Sequence, residues 1–196
     1  MGRPHQWHDH YTIRARREGF PARSVYKLEE IQKRFRILKP GARVLDLGCS
    51  PGSWLLFASK AVGEKGLVVG VDRAPISVEI PSNVRFIRQD ILARDESFVS
   101  ATGTGFEVVL SDLAPSTTGS KFVDSQRSLE LSEAALAISA RVLNPGGSFV
   151  CKIFQGPGFK EFSDRAKKMF DRLWHVRPKS TRKGSREIYV VGLGKI

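Results

Sequence analysis

The sequence predicts an α/β fold: a mostly parallel seven-stranded sheet with helices on both faces and an antiparallel last strand. Three observations carry that expectation. Apolar runs of strand length alternate with apolar stripes of helical period along nearly the whole chain. The first run, Val44-Leu-Asp-Leu47, ends in Gly48 and leads through Pro51 into a helical pattern, the kind of strand-to-helix turn at which α/β sheets hold nucleotides. The last two runs are joined by a linker too short for a parallel crossover, so the final strand must reverse. A chain of 196 residues suits one such domain with a single core.

Residues 1–21 read as a polar, basic arm in which His5, His8 and His10 accompany Arg14, Arg16 and Arg17. No cysteine or acid stands at ligand spacing from these histidines, so no metal is expected, and an arm that touches phosphate is the better reading. From Ala22 to Leu38, the residues Val25, Leu28, Ile31, Phe35 and Leu38 recur at helical spacing, while Arg23, Lys27, Lys33 and Arg34 lie mostly off that stripe. This predicts an amphipathic helix with a basic outer face, ended by Pro40-Gly41. The turn that follows the first strand reads Asp46-x-Gly48-x-x-x-Gly52 and not G-x-G-x-x-G. That spacing argues against a dinucleotide pyrophosphate and leaves room for a nucleoside ligand such as S-adenosylmethionine; taken alone, the stretch also fits an ordinary strand-helix turn.

A second strand, Leu67 to Asp72, ends in an acid about 20 residues past the glycine turn, where a ribose diol is commonly held. The third strand, Val84 to Asp90, again ends in a carboxylate, so Asp46, Asp72 and Asp90 form a constellation at one sheet edge. A fourth strand, Phe106 to Asp112, runs into the loop Leu-Ala-Pro-Ser-Thr-Thr-Gly, and a long helix is predicted from Asp124 to Leu143, stopped by Asn144-Pro-Gly-Gly147. The fifth strand, Ser148 to Phe154, places Lys152 inside an apolar run, where a cation is costly to bury, so that it either snorkels or has work to do. Phe159, Phe162, Ala166, Met169 and Leu173 read as the core stripe of a last helix, followed by strands Trp174 to Pro178 and Glu187 to Leu193. An antiparallel last strand starts at the carboxyl edge of its parallel neighbours, which puts Glu187 beside Asp112 and near Lys152.

The net charge of +12 makes a polyanion the default partner, nucleic acid before membrane, because the basic residues are spread over several segments instead of one amphipathic helix. No run approaches the roughly 18 apolar residues of a membrane span and the start has no apolar leader, so a soluble, cytoplasmic protein is expected. Cys49 and Cys151 each sit beside a strand pattern and read as buried free thiols.

Five stretches in order resemble the FtsJ/RrmJ family of S-adenosylmethionine-dependent RNA 2′-O-methyltransferases: Ala22-Arg-Ser-Val-Tyr-Lys-Leu28, Asp46-Leu-Gly-Cys-Ser-Pro-Gly-Ser-Trp54, Ser111-Asp-Leu-Ala-Pro115, Lys152-Ile-Phe-Gln-Gly156 and Ser180-Thr-Arg-Lys-Gly-Ser-Arg-Glu-Ile-Tyr189. The resemblance runs from about Tyr11 to Gly192, with departures at Ala22, where the family often has Ser, at Cys49-Ser50, usually Ala-Ala, and at Ser116, commonly Asn. It implies a Rossmann-like methyltransferase domain over residues 22–196 and a catalytic tetrad of Lys27, Asp112, Lys152 and Glu187. It further implies cofactor contacts from Asp46, Gly48, Pro51, Gly52, Trp54, Asp72, Asp90 and Asp112, with the methionine end at the glycine turn, the ribose at Asp72 and the adenine at Asp90.

The residue types suit the chemistry. A ribose 2′-hydroxyl is a poor nucleophile, and a lysine can take its proton only if its pKa falls from about 10.4 toward neutrality, by burial and a second ammonium nearby. Lys152 would be that base, Lys27 the second ammonium, and the two acids would orient them; a structural salt-bridge cluster is the plain alternative. RNA would be held by Arg14, Arg17, Arg23, Lys33, Arg34, Lys179, Arg182 and Lys183, which flank the expected pocket. The implied substrate is structured RNA, a uridine of large-subunit rRNA within the ribosomal particle, and the enzyme is expected to act as a monomer. The alternatives are the tRNA anticodon-loop branch of the family and a non-catalytic RNA-binding assembly factor, the latter disfavoured because every tetrad residue is present.

Overall fold

A computed structural model describes residues 10–93 and 97–196. Strands β1 (Arg43–Leu47), β2 (Leu67–Asp72), β3 (Val84–Arg88), β4 (Phe106–Ser111), β5 (Leu143–Phe154), β6 (Phe170–Val176) and β7 (Glu187–Lys195) form one sheet in the order β3-β2-β1-β4-β5-β7-β6. The pairs among β3, β2, β1, β4 and β5 are parallel, and β7 runs antiparallel to both β5 and β6. Chain order reverses between β1 and β4, so the carboxyl ends of those strands open the crevice where ligands of such sheets bind.

Alternate residues of each strand face opposite sides and fill two cores. Val44, Leu110, Val150 and Tyr189 face helices α2 (Val25–Phe35) and α3 (Ser53–Val62). Leu45, Leu47, Val109 and Cys151 lie on the other side with Phe162 and Leu136, which come from helices α6 (Phe159–Lys167) and α5 (Lys121–Val142). The parity decides the site, because Asp46 follows Leu45 and Lys152 follows Cys151, so both side chains fall on the α2/α3 face. Both cysteines are buried and unbridged.

Several boundaries differ from the expected ones, each for a physical reason. Residues 10–17 of the anticipated arm form helix α1 (His10–Arg17), whose Ala15 is buried against Val25 and Tyr26; residues 1–9, with His5 and His8, lie outside the described residues. Helix α2 stops at Phe35 because Arg36 takes a left-handed φ of 52° and its N–H closes on the Gln32 carbonyl, which turns Ile37 and Leu38 into the core as loop residues. Pro51 precedes helix α3 and does not open it. Strand β5 begins at Leu143, so the expected Asn144–Gly147 stop is the start of the strand, and its register against β4 shifts between Phe106 and Val108. Met169 and Leu173 do not belong to the last helix: α6 ends at Lys167, and residues 170–176 pair along β7, whose open edge overrides a spacing that also fitted a helix. Helix α4 (Ser97–Thr102) and a 3₁₀ turn at Ile91–Ala93 had no counterpart in the sequence pattern.

Candidate active site

Lys152 and Tyr189 are direct cross-strand partners, Glu187 is partnered with Phe154 two residues along, and Asp112 is the residue that follows β4. All four share the α2/α3 face, and α2 brings Lys27 to them. The result is two ion pairs. Nζ of Lys152 lies 3.1 Å from Oδ1 of Asp112 and donates to the Asp112 carbonyl at 2.6 Å. Nζ of Lys27 lies 2.6 Å from Oε1 of Glu187, without hydrogen-bond alignment. Glu187 was expected at this edge; its ion pair is with Lys27 of α2, since its place at the start of β7 is level with the end of β5. Side-chain exposures of 7% for Lys152 and 15% for Asp112 set these pairs apart from the surface ion pairs of the molecule, since truncating one partner would strand a buried charge.

Tyr189 joins the two pairs and was not among the expected site residues. Its hydroxyl donates to Oδ1 of Asp112 at 2.6 Å, and the ammonium of Lys27 lies 5.9 Å from its ring centroid. Burial, followed by the neighbouring Asp112 carboxylate, pushes the phenol well above its ordinary value, so this group remains a donor. The signal in the sequence was its position two residues beyond Glu187, which puts both on one strand face.

Beside the tetrad, a cavity of about 570 Å³ lies over the carboxyl ends of β1, β2 and β4, with Gly48, Asp72, Asp90 and Asp112 in its wall. Gly48 has a φ of +77°, and a Cβ there would lie 2.5 Å from Cδ2 of Leu113, so only glycine fits. The Asp72 carboxylate is fixed by the N–H groups of Ser50 at 3.0 Å and Ala74 at 2.8 Å, and Asp90 accepts from the N–H of Leu92 at 2.9 Å. Both acids are held by backbone N–H groups in the cavity wall and keep further lone pairs able to accept hydrogen bonds.

Four of the expected cofactor residues are not part of that wall. Trp54 is 3% exposed, stacks on Tyr189 at 5.8 Å between centroids, and donates its indole N–H to the Ser24 carbonyl at 2.9 Å, so its side chain ties α3 to the start of α2. Gly52 accommodates Val78, which a Cβ would approach to 2.5 Å, and Pro51 lends its carbonyl to Ser77. Asp46 is fully buried, and neither carboxyl oxygen has a hydrogen-bond partner among the described residues. Burial above all, then Asp112 and Asp72, raises its pKa well above the usual carboxylate range.

Of the expected RNA contacts, Arg14, Lys33, Arg34 and Lys179 line one groove of about 480 Å³ between α1, α2 and the segment after β6. Arg14 there pairs with Glu18 at 2.7 Å and Lys33 with Glu29 at 2.8 Å, exposed contacts that cost little to exchange for phosphate. Arg23 is drawn inward to the Ser180 carbonyl, and Arg17, Arg182 and Lys183 are exposed. Glu30 holds the 179–186 segment against α2 by accepting the N–H groups of Lys179 at 2.7 Å and Ser180 at 2.9 Å.

The profile of FtsJ-like methyltransferases matches residues 20–195. The chain belongs to that family. A ribosomal RNA large subunit methyltransferase E of Desulfatibacillum aliphaticivorans is 55% identical over 96% of this chain and 91% of the relative, and one from Desulforapulum autotrophicum is 50% identical over 97% and 94%. The crystal structure of a ribosomal RNA methyltransferase from Plasmodium falciparum superposes with a TM-score of 0.79 at 27% identity, covering 90% of this chain and 98% of that one. The FtsJ-like fold is therefore the one described above, with the α2/α3 face of its sheet carrying the paired lysines and acids.

Proposed function

We propose that this methyltransferase moves a methyl group from S-adenosylmethionine to a ribose 2′-hydroxyl of structured RNA, a uridine of the large-subunit rRNA. The observation that carries the reading is the pair of buried lysine-carboxylate contacts next to a nucleoside-sized cavity, in a chain half identical to proteins named for large-subunit rRNA methylation. The cavity is of a size usual for small-ligand sites, roughly 300–1,000 Å³, and its wall offers backbone-fixed carboxylates for a ribose diol and an adenine amino group. Asp72 and Asp90 would hold the nucleoside, and the methionine end would lie along the wall that Gly48 and Asp112 share. When bound, S-adenosylmethionine supplies an electrophilic methyl group.

The residues of the chain supply the proton transfer. Nζ of Lys152 is held from one side by the carbonyl and carboxylate of Asp112, which leaves its remaining direction for the 2′-hydroxyl. Tyr189 keeps Asp112 in place, and Lys27, steadied by Glu187, adds positive charge where the 2′-oxygen becomes more negative as its proton leaves. The +12 net charge supports an RNA substrate, and exposed Arg17, Arg182 and Lys183 give phosphates a place to dock.

Labelled methyl transfer to large ribosomal subunits, free rRNA and tRNA, with mapping of sites that resist alkaline cleavage, tests this reading. Label at one rRNA ribose is the expected result; label in tRNA anticodon loops, or on a base, overturns it. Asp72→Ala is expected to weaken cofactor binding by about 10- to 150-fold, the equivalent of ~1.5–3 kcal/mol for lost charge-assisted hydrogen bonds. Calorimetry with the cofactor reads it directly, and unchanged affinity would remove Asp72 from the site.

A further inference from the structure

Phe122, in the first turn of α5, is 63% exposed, whereas the other eleven phenylalanines, all among the described residues, are buried or half-buried. An uncovered ring forgoes the roughly 1.5–3 kcal/mol that burying such a side chain contributes, and both of its faces are open to a contact. Its backbone is firmly held. Its carbonyl accepts from Oγ of Ser125 at 2.8 Å, and a Cβ on Gly156 would lie 2.7 Å from Cβ of Ser125, so this turn packs closely on the loop after β5. The Arg186 guanidinium donates to the Lys121 carbonyl at 3.0 Å, and the Arg186 carbonyl accepts the N–H of Gln155 at 3.0 Å. Arg186 directly precedes Glu187 of the tetrad, so the ring is tethered to the catalytic edge through one side chain. Val123, 37% exposed, is its apolar chain neighbour, and Lys121 on the other side together with Arg186, bonded to the Lys121 carbonyl, brings positive charge to the same turn.

A flat aromatic ring on a firmly held backbone, with cations beside it and at the edge where a ribose is to be methylated, has the composition of a base-stacking platform. We propose that Phe122 stacks an unpaired nucleobase of the RNA substrate adjacent to the target nucleotide, with the neighbouring cations on its phosphates. The inference rests on the RNA reading above and deepens it: the substrate must be unpaired on at least one side of the target. An apolar protein surface would need no cations around it, and a base-paired helix would offer no face to the ring.

The test compares Phe122→Ala, Phe122→Leu and Phe122→Trp for affinity to single-stranded and hairpin RNA carrying 2-aminopurine, and for methylation of free rRNA and of ribosomal particles. Cofactor affinity is measured alongside and is expected to be unchanged in all three, since the ring is solvent-exposed and absent from the cofactor cavity. Ala and Leu are expected to lose about tenfold in RNA affinity and kcat/KM, with less quenching of the 2-aminopurine signal, while Trp matches the wild type. Wild-type behaviour of the Ala variant, or a Leu variant as good as Phe, overturns stacking. A loss confined to ribosomal particles assigns the ring to a protein surface and overturns it equally. Wild-type protein that binds no RNA at all overturns the RNA reading together with the platform.

Discussion

With Lys152 changed to arginine, single-turnover methyl transfer is expected to fall by about 10²- to 10⁴-fold, almost as far as with alanine, while cofactor and RNA affinities stay near the wild-type values. Arginine keeps the positive charge and most of the reach toward Asp112, and a guanidinium is a good partner for a carboxylate. It cannot give up its proton in a protein, so it cannot take one from a 2′-hydroxyl. The alanine variant leaves Asp112 with Tyr189 as its remaining side-chain partner, so its loss mixes catalysis with a stranded carboxylate. Arginine separates the two, provided that melting temperature shows the bulkier head group is tolerated. Retention of a tenth of wild-type turnover, a barrier change of only about 1.4 kcal/mol, would sink the general-base role and leave Lys152 an electrostatic one. Asp112 or a bound water would then be the next candidates for the proton.

The sequence carried the sheet but not all of its edges. Apolar runs bounded by turn residues were placed within a residue or two, because length and punctuation agree there: Val44 to Leu47 and Leu67 to Asp72 are observed as strand, and the run expected from Phe106 to Asp112 ends at Ser111. Residues 170–176 were split wrongly between helix and strand, since Phe162, Ala166, Met169 and Leu173 satisfy a helical stripe and only pairing with β7 decides otherwise. The same limit applies at the site. Chain reversal was enough to bring Glu187 to the edge, yet which lysine it pairs with depends on how α2 lies over β7, and no local pattern encodes that. Trp54 was a ligand contact only by what the family resemblance implies, whereas helix geometry turns its indole into the core against Tyr189. Tyr189 escaped notice for the opposite reason, as a core-type residue in a core strand whose hydroxyl happens to end on Asp112.

Asp46→Asn is expected to change the pH dependence of stability more than any other single substitution in the motif that holds Gly48. Asp46 is fully buried on the α2/α3 face with both oxygens unpartnered, and its pKa is raised by burial first and by Asp112 and Asp72 second. In the unfolded chain the same carboxyl titrates near about 3.9. Between those two values the folded protein holds a proton that the unfolded chain has lost, so the unfolding free energy decreases as pH rises, by about 1.4 kcal/mol per unit for one proton. The folded state is favoured by this group below about pH 4, and the advantage drains away up to the raised folded value. Asparagine is nearly isosteric and cannot ionise, so the variant lacks this slope; two units of pH inside the window separate the two proteins by about 2.7 kcal/mol. Urea unfolding of wild type and Asp46→Asn without added cofactor, at several pH values from 4 to 8, gives the difference curve. Taking the difference cancels, to first order, the titrating groups that do not interact with Asp46. Parallel stability curves would mean that Asp46 is ionised in the folded protein and has a cation or water at its side. A gap that widens with pH would establish Asp46 as a neutral acid in the free enzyme, able to donate a hydrogen bond toward the glycine turn as well as to accept one.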